Sequence, residues 1–157
     1  MRYTYLCKMK DKNNIHSDKS TPIIYDVIII GAGAAGLLAA NTAAVNGMKV
    51  LLIEKMEKPA RKVRITGKGR CNITNTKTID EFLKKVYPNS RFLKSALKNF
   101  SNTDLIKFIN DIGVPTVVER GDRVFPVSQK AWDIANALVK EAGHNGVEII
   151  CHTTVTD

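Results

Sequence analysis

Six residues, Gly31-Ala32-Gly33-Ala34-Ala35-Gly36, carry the pattern Gly-x-Gly-x-x-Gly. They stand between a short apolar run and a stretch rich in Ala and Leu, the strand-then-helix context in which this pattern holds a dinucleotide. Gly31 permits a tight turn, Gly33 lets the backbone approach a pyrophosphate, and Gly36 lets the helix pack closely on the strand. The helix opening at Ala34 and Ala35 presents free backbone N–H groups and the positive end of its dipole, which hold a diphosphate without a cationic side chain. Glu54, roughly 20 residues on, occupies the position of the acid that accepts hydrogen bonds from ribose hydroxyls and repels a 2′-phosphate. NADP is therefore not expected at this particular site, but the six residues alone do not separate FAD from NAD.

A second constellation runs from Arg61 to Asn72 and packs five cations and two glycines into twelve positions. Charge alone allows either a solvated loop or a phosphate clamp, and the spacing does not match a Walker loop. Cys71 lies beside Arg70, which would lower a thiol pKa. No partner cysteine is near in sequence, so packing or a cofactor contact is the expectation rather than a disulfide-reductase site. His16, His144 and His152 are isolated and suggest neither a metal site nor a catalytic triad.

The elements that must position these groups follow from periodicity. Tyr25 to Ile30 reads as a strand buried on both faces, Ala34 to Asn46 as a helix stopped at Gly47, and Lys49 to Glu54 as a second strand. Together they form a βαβ unit of a parallel sheet in a three-layer α/β architecture. Residues 59–77 read as a long loop, with room for a short helical turn. Residues 79–87, 90–100 and 104–112 show apolar positions three and four apart and read as short amphipathic helices. Ser101 and Asp104 resemble a capping box. Residues 116–119 and 123–125 flank Arg120-Gly121-Asp122 as a hairpin turning on Gly121. Ser128 is expected to cap a helix running to about Ala142, with Trp132, Ile134, Ala135, Leu138 and Val139 as its core-facing stripe. Residues 147–155 read as a last strand. Only three candidates for the main sheet result, where about five or six are usual, so the fold is expected to be incomplete at its C-terminus.

Length and composition set the class. The chain has 157 residues, of which 44% are hydrophobic and 25% charged, the balance of an ordinary globular domain. No apolar run approaches the roughly 20 residues of a membrane-spanning helix, and no secretory signal is visible. No membrane association and a cytoplasmic location are expected. Cys7, Cys71 and Cys151 are too widely spaced for a disulfide framework. The net charge of +9 could attract nucleic acid, but over the whole chain acids lie among the cations, and no nucleic-acid partner is expected. Residues 1–23 read as a flexible polar extension and residues 24–157 as the N-terminal part of the nucleotide-binding domain.

From Gly31–Gly36 the sequence continues through Glu54-Lys55, Arg61-Lys62, Ile65-Thr66-Gly67, Gly69-Arg70-Cys71-Asn72-Ile73-Thr74-Asn75 and Arg123-Val124-Phe125-Pro126, with Ser128, Lys130 and Ala131. In this combination it resembles the bacterial aminoacetone-oxidase-like NAD(P)/FAD-dependent oxidoreductases. It departs from their common pattern with Ala60 and Lys68 at positions where glycine is frequent. The resemblance implies FAD as cofactor, two-electron transfer through the flavin to a small-molecule substrate, and NAD(P)H as a possible electron donor. The cofactor contacts it implies are Gly31, Gly33, Ala34, Ala35, Gly36, Glu54, Lys55, Arg61, Thr66, Gly69, Arg70, Cys71, Asn72 and Val155. It assigns no catalytic residue. Two alternatives stay open: an NAD-linked dehydrogenase module, and a truncated, non-enzymatic nucleotide-binding fragment that self-associates through an exposed sheet edge.

Overall fold

The computed structural model describes residues 23–156, so nearly all of the expected polar extension lies outside the described residues. In chain order the first elements are β1 (Val27–Ile30), α1 (Ala34–Val45), β2 (Val50–Ile53), α2 (Arg61–Ile65), β3 (Thr74–Asn75) and α3 (Ile79–Leu83). They are followed by α4 (Arg91–Asn99), α5 (Asn102–Asp111), β4 (Thr116–Glu119), β5 (Arg123–Pro126), α6 (Ala131–His144) and β6 (Glu148–Ile150). The described residues divide into two compact units, one of residues 23–61 with 138–156 and the other of residues 62–137.

The first unit is built on a parallel sheet of order β1-β2-β6, with Val27 opposite Val50 and Leu51 opposite Glu148. The central strand β2 is covered on both faces, as its apolar run requires, but the expectation that the first strand is buried on both faces is corrected: Ile28 and Ile30, which share one face of β1, are exposed. Val50, Leu51 and Leu52 of the central strand are all buried, as are Leu37 and Ala40 of α1 and Ala142 and Val147 near the return strand. Helix α1 also buries a polar residue, Asn41, whose Oδ1 accepts from Asn145 Nδ2 at 2.7 Å. That bond satisfies a group that would otherwise be desolvated at a cost of about 1–3 kcal/mol. The fold is the expected Rossmann-like one with three strands in its main sheet. The last strand is shorter than the expected 147–155. Only Glu148–Ile150 find ladder partners on β2, and beyond them His152 N donates to Met56 O and Thr153 N to Glu54 O.

The second unit carries an antiparallel sheet of order β3-β5-β4. The hairpin between β4 and β5 turns at Gly121 and Asp122, both left-handed (φ 79° and 60°), where the sequence places Arg120-Gly121-Asp122. Helix α5 begins at the expected capping box. Ser101 accepts from Asp104 N, and the Asp104 carboxylate accepts from Ser101 N. Thr78 and Glu81 form a second box at α3 that was not anticipated. Helix α3 stops at Leu83 rather than at the expected Tyr87.

Two expectations for α6 need correction. The helix starts at Ala131, three residues beyond Ser128, whose hydroxyl accepts from Lys130 N at 3.4 Å in the preceding turn. Ile134, Ala135, Leu138 and Val139 are buried as expected, but Trp132 is half exposed, with the Arg64 guanidinium 4.2 Å from its ring centroid. The indole packs on a cation instead of joining the core. No helix among the described residues is long and apolar enough to cross a membrane.

Candidate functional site: a glycine cradle and a pinned basic loop

In the first unit, the three glycines of the fingerprint are required for three different reasons. Gly31 ends β1 at φ 97°, a left-handed backbone in which a side chain is strained, while its N–H donates to Ile53 O at 2.7 Å. Gly36 sits so close to the turn that a Cβ would lie 1.9 Å from Gly31 O. Gly33 differs from both. Its φ of −77° is open to any residue, and a Cβ there would meet no protein atom within 4 Å. Neither backbone nor internal packing demands glycine at that position, and the exposed turn in front of α1 is left open there.

Gly33 is also the N-cap of α1, and that cap supplies no side-chain hydrogen bond. The first helical N–H groups have no intrahelical acceptor. The twelve-residue helix carries no acid in its first turn to neutralise its positive end, and Ala34 and Ala35 are exposed. A diphosphate fits this cradle: amide donors, a helix dipole of the right sign, and the clearance left by Gly33.

Glu54 follows β2 and faces inward to the turn. One carboxylate oxygen accepts from Ala32 N and the other from Met56 N, both at 2.9 Å. The acid therefore braces the glycine turn, while each oxygen retains a second lone pair for a ribose hydroxyl. Ala60 N donates to Ala32 O at 2.7 Å, with Ala60 itself buried and left-handed at φ 58°. Lys55 is exposed, and Arg61 pairs loosely with Glu57 at 4.0 Å. Val155 is exposed and lies outside any strand, because β6 ends at Ile150; the expectation that it sits on a strand is corrected.

In the second unit, the expected loop begins as helix α2, passes through a tight turn at Thr66–Gly69 and ends as strand β3. Gly67, Lys68, Gly69 and Cys71 all have positive φ, from 56° to 85°. Lys68 is thus a side-chain-bearing residue in left-handed backbone, as is Ala60, and this explains why glycine is frequent at both positions in the pattern the sequence resembles. Gly67 is held tightly, since a Cβ there would lie 2.8 Å from Asn72 N. Thr66 Oγ1 donates to Val63 O, Thr66 O accepts from Cys71 N, and Asn72 is exposed.

Arg70 is fixed from three sides. Its Nη2 donates to Glu119, its Nε donates to Gln129 Oε1 at 2.6 Å, and its guanidinium stacks 4.3 Å from the Phe125 ring centroid. Gln129 Nε2 closes the set by donating to Glu119 Oε1 at 2.9 Å. These hydrogen bonds, Arg70 first, hold the Glu119 carboxyl below its ordinary pKa. The Cys71 thiol is buried, and burial raises its pKa despite the hydrogen bond with Thr66. Burial acts against the thiolate, so the lowering by Arg70 that adjacency in sequence suggested is not realised. Sequence reading missed Glu119 and Gln129 because they lie 49 and 59 residues from Arg70 and carry no motif of their own.

Comparison with known proteins places this architecture. Residues 25–157 match the model of the HI0933-like protein Rossmann domain. The chain belongs to the HI0933-like Rossmann family. Within reach of the HI0933-like domain are curated relatives of known activity. A ribosomal RNA dihydrouridine synthase of Escherichia coli K12 is 37% identical over 123 residues, 78% of this chain and 30% of that protein. A 3-dehydro-bile acid delta(4,6)-reductase of Clostridium scindens is 32% identical over 77% of this chain and 29% of its own length. The chain thus spans about 30% of the length of the curated relatives it matches. Among solved structures, the 3-ketosteroid-delta4-(5alpha)-dehydrogenase of Rhodococcus jostii RHA1 shares the fold at a TM-score of 0.57 and 15% identity, over 82% of this chain and 38% of that one.

Proposed function

We propose that this chain is the cofactor-binding portion of an FAD-dependent oxidoreductase, with the diphosphate of FAD seated at the N-terminus of α1. The observation that carries the reading is the exposed, uncapped N-terminus of α1 behind the Gly31–Gly36 turn, with no acid in its first turn and no side chain at Gly33 to obstruct it. Two relatives support the reaction class. Dihydrouridine is uridine with one carbon–carbon double bond saturated, and a delta(4,6)-reductase by name saturates such bonds. The whole protein is accordingly read as reducing a carbon–carbon double bond in its substrate.

Bound FAD supplies the two-electron chemistry, with NAD(P)H as the proposed reductant. The residues of this chain bind and orient. The amides of Ala34, Ala35 and Gly36 hold the diphosphate, and Glu54 keeps the turn closed while its free lone pairs accept from the ribose. Lys55, Arg61, Thr66, Gly69, Arg70, Cys71, Asn72 and Val155 remain proposed contacts. Arg70 and Cys71, already engaged within their own loop, act mainly by setting its shape. The same reading places the protein in the cytoplasm, where thiols such as Cys71 and Cys151 stay reduced. It also has the outer edge of β1, at one end of the β1-β2-β6 sheet, pair with a second copy.

The test is titration of the purified chain with FAD and, separately, with NAD, following flavin fluorescence and thermal stability. FAD should stabilise the chain, and Gly33→Val should abolish that response with the circular dichroism spectrum unchanged. A folded chain that ignores FAD, or responds equally to NAD, overturns the assignment.

A further inference from the structure

Outside the cradle and the basic loop, the least explained part of the molecule is the set of helices α3, α4 and α5 in the second unit. Between Cys71 and Ile109 not one residue is buried. Helices α3 and α4 bury nothing, and α5 buries only Ile109. A short helix ordinarily gains its stability by burying an apolar face. Here Ile79, Phe82, Leu97, Phe100 and Leu105 instead line a cavity of about 110 Å³. Phe100 is exposed and the other four are half-buried, so the cavity is open to solvent. Two polar residues on its margin are already engaged: Asn102 Nδ2 donates to Asn75 O at 2.7 Å and to Lys77 O at 2.8 Å, and the Ser101 hydroxyl bonds Asp104. What the cavity offers an incoming group is chiefly apolar contact.

The surroundings of this cavity are cationic. From Phe82 to Thr103 the sequence holds Lys84, Lys85, Arg91, Lys94 and Lys98 and no acid. All five are exposed. Of the acids just outside that stretch, Glu81 and Asp104 spend their carboxylates on the N-caps of α3 and α5, which leaves Asp80. On α4, Leu93 and Leu97 are four residues apart and share a face, and Lys94 and Lys98 each stand one residue, about 100°, further round. The two lysines therefore border the apolar stripe along its length. We infer that the cavity seats an acidic amphipathic helix of a partner polypeptide, with one apolar side chain inserted among Phe82, Leu97 and Leu105 and carboxylates lying along Lys94 and Lys98. A second copy of this chain would bring the same five cations to the same place, and like charges repel. A flat lipid surface would require the apolar side chains to project, whereas these surround a hollow. The inference goes beyond the proposed flavin chemistry and does not depend on it.

The experiment is fluorescence anisotropy of two labelled model peptides of about 18 residues, long enough to form a helix, titrated with the chain in the absence of flavin. Both peptides carry Leu at i, i+3, i+4 and i+7, and the flanking positions are Glu in one and Lys in the other. The Glu peptide should bind, more weakly as KCl rises, and the Lys peptide should not. Lys94→Glu with Lys98→Glu, both on the surface, should cost the Glu peptide at least about tenfold in affinity and give the Lys peptide measurable binding. Leu97→Phe, which fills the cavity, should weaken the Glu peptide at least about fivefold. Leu97→Met, of nearly the same volume, should leave its affinity unchanged. A folded chain that ignores the Glu peptide, or binds both peptides equally, overturns the proposal. So does self-association, or capture by phosphatidylglycerol vesicles, that Leu97→Phe abolishes, since either gives the cavity a different occupant. Every one of these outcomes is independent of the FAD titration.

Discussion

The glycine cradle and the basic loop reach rigidity by opposite means. Around Gly31–Gly36 the work is done by backbone: a left-handed turn, a 1.9 Å exclusion at Gly36, and one carboxylate, Glu54, receiving two amides. Around Gly67–Cys71 four consecutive or near-consecutive residues are left-handed, and the loop is held by side chains, with Arg70 gripped by Glu119 and Gln129 over Phe125. The cradle is nearly self-contained within about two turns of chain and one strand. The loop borrows its support from residues far along the sequence. A site made of missing side chains tolerates almost no substitution. A site made of a side-chain network loses strength in steps.

The sharpest break in that comparison is Gly36→Ala, whose methyl must displace the Gly31 carbonyl. It should cost about 3 kcal/mol or unfold the first unit, read by urea denaturation, whereas Gly33→Ala should cost under about 1 kcal/mol and yet lose FAD affinity. Next comes Glu54→Ala, which leaves the amides of Ala32 and Met56 without their acceptor and should cost about 2 kcal/mol by the same assay. Equal stability of Gly36→Ala and Gly33→Ala would dissolve the distinction between packing glycine and ligand glycine.

On the loop the expected effects are smaller and include a gain. Lys68→Gly relieves a left-handed side chain, and allowing for the added chain entropy it should raise stability by about 0.5–1 kcal/mol; a loss would mean that the lysine side chain holds the turn. The smallest effect is one of pH. Glu119 has a depressed folded pKa, so its contribution is present above the unfolded value and fades as pH falls through the folded one. The acid limb of a melting-temperature profile should therefore be shallower in Glu119→Gln, with no difference in the profiles' shape near neutrality.

The parts of this protein that were legible in sequence are those whose cause is local. A Gly-x-Gly-x-x-Gly between a β-branched run and an Ala-rich helix leaves few alternatives, and Ser101 with Asp104 marks a helix start within four residues. Trp132 was misread because helical spacing reports which face a residue shares, not what stands opposite; here Arg64 does. The last strand was drawn too long because β propensity continues through Val155, while only three residues of β6 find a ladder.

The sequence by itself thus determined the βαβ order, the turn glycines and the acid at the end of β2, since each depends on steric rules acting over a few residues. The tertiary structure alone decided that Glu54 spends its oxygens on Ala32 and Met56, that Arg70 is clasped by Glu119 and Gln129, and that the Cys71 thiol is buried, with its pKa pushed up. Those outcomes turn on which side chains arrive within 3 Å of one another, and contacts across dozens of residues leave no periodicity to read.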